Sequence, residues 1–293
     1  MKFLCTADWH IRKEPPKYRI DNYLETLLQK VEHIVNRANE LEATILIAGD
    51  IFDSPRLGYS VSNELTKVLK QADNKPISCF GNHDTTFHSQ DLSNTPFSNL
   101  VVNGNIIAES TGFLPVGVAV TLVGWESELP EVRPEADVNI LLGHISCFEN
   151  TVPFWSTDGL TPETLKKKFP GFDYYVVGDI HIPFAKDNVI NPGSLCRSTI
   201  DQVDYKPGYY ILDTEDGSIN REEIPVKPSS EVFNLDQKDI DELKDVKALN
   251  EFIHSIKYSG DRPNFRNVLN HVVKETKATQ PVIDIITETL EEL

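Results

Sequence analysis

The stretch Thr44-Ile45-Leu46-Ile47-Ala48-Gly49-Asp50-Ile51-Phe52-Asp53 sets the frame for the whole chain: a short apolar run, halted by glycine, with two aspartates three residues apart immediately after it. An apolar run of that length without polar alternation suits a strand buried on both faces. Upstream, Leu24, Leu27, Leu28, Val31, Ile34, Val35, Ala38 and Leu41 recur at helical spacing and predict one amphipathic helix. Before that helix, Phe3 to Thr6 reads as another short strand. Downstream, Ser60 to Gln71 reads as a second helix and Ile77 to Phe80 as a third strand. The chain thus begins strand, helix, strand, helix, strand, as a layered α/β fold does. Val116 to Val123, Val138 to Leu142 and Tyr174 to Val177 predict further buried strands.

Five of these six strands end in polar residues of one kind. Asp8 and His10 follow the first, Gly49-Asp50 and Asp53 the second, and Gly81-Asn82-His83-Asp84 the third; Gly143-His144 and Gly178-Asp179-Ile180-His181 follow later ones. In an α/β sheet the carboxyl ends of the strands open into the crevice where ligands bind. Any one of these pieces arises readily as a turn, but four of the eight histidines (His10, His83, His144, His181) sit at strand ends. A structural role gives no reason for that concentration, whereas a metal site does. His33, His254 and His271 fall in helical stretches and read as surface or packing residues.

Composition bounds the partners. The 293 residues carry 28 Lys and Arg against 45 Asp and Glu, a formal net charge of −17, so the average field repels DNA and anionic lipid. Contact with a polyanion must then be local, aided by bound cations or by a partner. Four separated cysteines (Cys5, Cys79, Cys147, Cys196) without a C-x-x-C pair read as reduced thiols of a cytoplasmic protein. The opening apolar run is too short for a signal-peptide core and no run approaches the ~18 residues of a membrane span.

After residue 205 the texture changes. Gly208 to Asp213 and Ile219 to Val226 predict a strand pair around Glu215-Asp216-Gly217, Pro225 to Ser230 reads as a connector, and Asp236 to Ser255, Asn264 to Glu275 and Pro281 to Leu293 predict three helices. Three regions are expected: 1–205 catalytic, 206–230 the start of a small capping region, and 231–293 helical. The terminal Glu288, Glu291 and Glu292 read as a solvated helix face.

The strand-end series Asp8-x-His10, Gly49-Asp50-x-x-Asp53, Gly81-Asn82-His83-Asp84, Gly143-His144 and Gly178-Asp179-x-His181 resembles the signature of the calcineurin-like metallophosphoesterase superfamily. More narrowly, Ala7-Asp8-Trp9-His10, Gly49-Asp50-Ile51-Phe52-Asp53, Asp173 to Gly178, and Asn191-Pro192-Gly193-Ser194 followed by Asp201 to Asp213 resemble the SbcD branch. That branch comprises nuclease subunits of the SbcCD DNA-repair complex and related bacteriophage recombination nucleases. The resemblance implies a four-layer β-sandwich with a small C-terminal capping region and helical tail. It also implies two divalent metals: Asp8, His10, Asp50 and His181 on one, Asp50, Asn82, His144 and Asp179 on the other, with Asp50 bridging. His83 would serve the leaving group, with Asp84 either orienting it or acting as a turn residue. Asp179 stands where the family usually has histidine, and this oxygen-rich set favours hard cations such as Mn²⁺ or Mg²⁺. Asp53 stands where several nucleases of the group carry histidine, a difference that bears on exonuclease activity.

The function so implied is a two-metal hydrolase, an exo- or endonuclease cutting DNA phosphodiesters in repair or recombination. It would act with an SbcC-like SMC-family ATPase, as a homodimer, in the cytoplasm (of the host, for a bacteriophage protein). A phosphatase or small-molecule phosphodiesterase would use the same ligands but would not need the segment after residue 205. A scaffold without catalysis would not need Asp50, Asn82 and His83 together. His88, with Phe87 and Phe97 in the polar loop Thr85 to Asn99, is a candidate DNA contact, and Arg197 would meet a phosphate or pair with a surface acid.

Overall fold

Two sheets pack face to face, and the alternation of side chains along each strand decides the layers. In the computed structural model, which describes residues 1–86, 91–108, 111–114, 117–129, 136–153 and 156–237, the strands are β1 (Lys2–Thr6), β2 (Thr44–Ala48), β3 (Ile77–Cys79), β4 (Thr111–Leu114), β5 (Val118–Val123), β6 (Val138–Gly143), β7 (Tyr174–Val177), β8 (Phe184–Lys186), β9 (Val189–Asn191), β10 (Gly208–Asp213) and β11 (Ile219–Glu223). The first sheet has the order β11-β10-β1-β2-β3 and the second β4-β5-β6-β7-β9-β8. β1, β2 and β3 run parallel, as do β5, β6, β7 and β9, whereas β10, β11, β4 and β8 are antiparallel additions.

Phe3, Cys5, Leu46 and Ala48 of the first sheet meet Val120, Ile140, Leu142 and Val176 of the second in one core. The alternate residues Leu4, Ile45 and Ile47 point the other way, onto helices α1 (Tyr23–Glu40) and α2 (Tyr59–Leu69). On the outer face of the second sheet, Leu141, Tyr175 and Val177 pack on Leu165 and Phe169, at and just beyond helix α4 (Pro162–Lys168). The result is the expected helix, sheet, sheet, helix layering, each buried large apolar side chain stabilising it by about 1.5–3 kcal/mol. α1 begins where Asn22 Oδ1 accepts from the Glu25 amide, with Glu25 in the first turn and Arg37 in the last, as the helix dipole favours.

Two helices form where none was expected. α3 (Pro96–Val102) starts at Thr95 and α4 at Thr161, each an N-cap threonine followed by proline. α3 converts half of the supposed polar loop into core: Phe97 is fully buried against Phe80, their ring centroids 6.4 Å apart, so its candidacy as a DNA contact is withdrawn. The strand pair expected after residue 205 forms as β10 and β11, and it extends the first sheet through antiparallel pairing of β10 with β1. Met1–Phe233 is one compact unit, closed by a short helix, α5 (Ser229–Val232). The helices expected beyond Asp236, with His254, His271 and the terminal glutamates, and also Phe87 and His88, lie outside the described residues. All four cysteines are unpaired and buried. Among the described residues no helix is long and apolar enough to cross a membrane.

Candidate metal centre

The carboxyl ends of β1, β2 and β3 meet those of β6 and β7, and short backbone bonds lock the turns that leave them. The Asp8 amide donates to Gly49 O at 3.2 Å, His10 N to Asp50 O at 3.0 Å, and Gly178 N to Gly143 O at 3.1 Å. The Asp179 amide crosses between the sheets to the Asp8 carboxylate at 3.1 and 3.2 Å. Among the described residues seven non-glycine residues have positive φ, and four of them are Asp8, His10, Asp50 and Asp179. Left-handed backbone costs such residues on the order of 1 kcal/mol each and persists where surrounding structure enforces it, commonly at functional sites. Gly81 is needed for close approach, since a Cβ there would overlap the Asp50 carboxylate; Gly49, at φ +86°, would overlap the His144 ring.

All seven expected ligands come together. His10 Nε2 lies 3.1 Å from His181 Nε2 and 3.7 Å from Asp50 Oδ2, and a ligating atom of Asp8 completes a close group with His10 and His181. On the other side His144 Nε2 lies 3.5 Å from the same Asp50 Oδ2, 3.0 Å from Asn82 Oδ1 and 3.7 Å from Asp179 Oδ1. Asp50 thus faces both groups, and its other oxygen accepts the His83 amide at 2.9 Å. His144 is oriented from behind by Nδ1, which donates to Ala48 O at 2.8 Å.

Asp8, His10, Asp50 and His144 are buried, and Asn82, Asp179 and His181 are half-buried. Burial pushes the Asp8 and Asp50 carboxyls up from their ordinary values, and mutual repulsion with neighbouring carboxylates adds to it. Burial pushes His10 and His181 down, towards neutral rings that ligate cations. His144 goes the other way: burial opposes its charged form, but Asp50, Asp8 and Asp179 outweigh burial and raise it. Two imidazole nitrogens facing each other at 3.1 Å, beside buried carboxylates, and the unpartnered buried His10 Nδ1 make a donor set that divalent cations fit. His10, His144 and His181 supply nitrogen; Asp8, Asp50, Asn82 and Asp179 supply oxygen.

His83 stands edge-on to His10, ring centroids 4.7 Å apart, and its Nδ1 donates to the Asp53 carbonyl at 2.8 Å. That bond fixes the neutral tautomer and leaves Nε2 as the working nitrogen. Asp84 does not orient His83. It is fully buried and accepts from the amides of Gly81 at 3.0 Å, Phe52 at 3.0 Å and Ile51 at 3.3 Å, tying the β2 and β3 turns together. Burial first, then Asp50, pushes its carboxyl up to about 7.

Some contacts carry no sequence signal. Ser146 Oγ makes a very short hydrogen bond to Asp179, and Arg12 donates to Asp53 Oδ2 at 2.9 Å while Asp53 Oδ1 stands 3.6 Å from His10 Nδ1. Only position hinted at Ser146, two residues past His144. Arg197 meets no surface acid; it is buried and donates to Val203 O, Ser229 Oγ and Lys227 O. Trp9 is likewise structural, its indole donating to Thr6 Oγ1 at 2.9 Å within the core.

The chain belongs to the calcineurin-like phosphoesterase family, whose model matches residues 1–183 and so includes every candidate ligand. Among solved structures, a protein of Thermus thermophilus is similar at 15% identity and a TM-score of 0.51, over 76% of this chain and 99% of its own. A structure described as a novel archaeal phosphodiesterase is similar at 15% identity with a TM-score of 0.42, over 76% of this chain and all of its own. At that identity the first likeness supports the fold alone. Family and site together make the protein a metal-dependent phosphoester hydrolase.

Proposed function

We propose that the protein is a two-metal nuclease that hydrolyses DNA phosphodiesters, an SbcD-like subunit working with an SbcC-like SMC-family ATPase in repair or recombination. The observation that carries the two-metal part is the placement of Asp50 Oδ2 between the His10/His181 and His144/Asn82 groups. In this reading Asp8, His10, Asp50 and His181 hold one cation, and Asp50, Asn82, His144 and Asp179 hold the other. Bound there, Mn²⁺ or Mg²⁺ would polarise the phosphoryl group and lower the pKa of an attacking water.

The chain's own residues do the rest. Ser146 holds Asp179 towards the centre, and the backbone clamps at Asp8 and Asp84 keep three turns in register. His83 is the residue for the leaving oxygen: Nδ1 stays anchored on Asp53 O, which leaves Nε2 for the hydrogen bond to that oxygen. A groove of about 410 Å³ runs beside it, lined by Asp53, Ser54, Arg56, Asn82, Thr85 and Thr86 among others. DNA is favoured over a small ester by the SbcD-like residues around Asp8, Asp50 and Gly193 and by that groove. At net −17 the chain needs a partner to hold a polyanion, which supports the ATPase subunit; homodimer formation and a cytoplasmic setting follow from the same likeness.

The test is turnover of end-labelled linear DNA and of an aryl phosphate ester by the purified protein with Mn²⁺, beside His83→Ala. Metal-dependent DNA cleavage lost in His83→Ala supports the nuclease. Turnover of the ester with DNA untouched, with or without the ATPase, refutes it in favour of a phosphatase.

A further inference from the structure

We propose that a second cleft, between α1, the turn after β9 and the segment after β11, binds a small phosphate-bearing anion through Lys30 and Arg197. The cleft encloses about 230 Å³ and shares no lining residue with the groove at His83. Its lining includes Arg19, Lys30, His33, Arg197 and Lys227 and no aspartate or glutamate. In a chain with 45 acidic and 28 basic side chains, that is the reverse of what composition supplies.

The cations are buried, at 5% exposure for Arg19 and Lys30 and 4% for Arg197. Arg19 is neutralised by a two-pronged bond to Asp21, and Glu222 takes Arg37 and the Tyr209 hydroxyl, so neither carboxylate pairs with Lys30 or Arg197. Lys30 Nζ has only the Leu195 carbonyl at 3.0 Å and Cys196 Sγ at 3.3 Å, which leaves one ammonium proton unused. Arg197 bonds only neutral oxygens, and its buried Nε has no partner. Burial lowers Lys30 and Arg197 from their ordinary values, more than Cys196 and, for Arg197, Asp21 raise them. Two unpaired buried cations are costly, and an anion with several acceptor oxygens would satisfy both charge and donors.

The site is built into the catalytic unit. Leu195, whose carbonyl takes Lys30, donates its own amide to Asp8 O at 3.1 Å, so the cleft wall is one residue removed from a candidate ligand turn. Inorganic phosphate and the 5′-phosphate of a nucleotide share the required chemistry.

The test uses the full chain in EDTA, which removes cations from the metal centre. Calorimetry and thermal shift would be run with inorganic phosphate and with a nucleoside 5′-monophosphate, against chloride at equal ionic strength. The expected result is saturable 1:1 phosphate binding that raises Tm, at least tenfold weaker in Lys30→Met and in Arg197→Gln and unchanged in Asp50→Asn. Tighter binding of the monophosphate would assign the site to nucleotide ends, and equal binding to the inorganic ion. Lys30→Met removes a buried charge and is expected to fold with a Tm at or above the wild type. No saturable binding by the wild type, or binding lost in Asp50→Asn and kept in Lys30→Met, would overturn the proposal.

Discussion

Replacing Asp84 by alanine isolates the clamp between the β2 and β3 turns. The carboxylate accepts three buried amides, from Gly81, Ile51 and Phe52. Orphaning a buried donor costs about 1–3 kcal/mol, so three cost at least about 3 kcal/mol; removing a buried, partly charged carboxyl returns some of this. The expected net loss is about 2–4 kcal/mol, measured by urea unfolding in EDTA with an unchanged m-value. Asp84→Asn keeps one acceptor oxygen but presents an amide donor to the other N–H groups, so it should fall between wild type and Asp84→Ala. Because burial pushes the Asp84 carboxyl up to about 7, proton binding favours the folded state, an added stability fully present below the unfolded value near 4 and lost as pH rises through about 7. Asp84→Asn should therefore flatten the stability profile across that window. A loss under about 1 kcal/mol for Asp84→Ala would show that the clamp does not hold these turns, and an unaltered profile for Asp84→Asn would show that burial does not hold the carboxyl up.

Three further outcomes follow from the same geometry. Ser146→Ala should leave stability within about 1 kcal/mol of wild type but weaken Mn²⁺ binding by about 10–100-fold, read by calorimetry, because Asp179 loses the hydroxyl that orients it. Asp8 and Asp50 are pushed up by burial, so as pH falls they take up protons that a cation must displace, and Mn²⁺ affinity should weaken as pH is lowered, read by titration at fixed ionic strength. Phe97→Ala should cost about 3–5 kcal/mol in urea unfolding while the rate of phosphoester hydrolysis per folded molecule stays within about twofold, since the ring is core, packed against Phe80.

Much of the site was legible because its ligands sit at the ends of strands whose apolar runs are unmistakable, and the order Asp8, Asp50, Asn82, His144, Asp179 follows the order of those strands. The layering was legible for the same reason: Leu4 and Cys5 are both apolar, which a strand with one solvated face would not allow. Illegible were features set by tertiary contact. α3 and α4 are seven residues each, too short for periodicity, and only the Thr-Pro pairs at 95–96 and 161–162 mark them. Phe97 lay in a polar stretch, and nothing local shows that Phe80 waits for it. Asp84 reads as a turn residue because two of its three partners, Ile51 and Phe52, lie on another loop more than 30 residues away. β8 and β9, three residues each, give no alternation to count. The buried cations at Arg19, Lys30 and Arg197 are separated by up to 178 residues, so no local pattern joins them.

The account stands most directly on Asp50 serving two cations at once. Counting tightly bound Mn²⁺ per chain in the full-length protein and in Asp50→Asn, after removal of loosely held metal, tests this. Two ions in the wild type and at most one in the variant, with phosphodiester hydrolysis reduced at least about 100-fold, is the predicted result. One ion or none in the wild type, or two retained by Asp50→Asn, would contradict it.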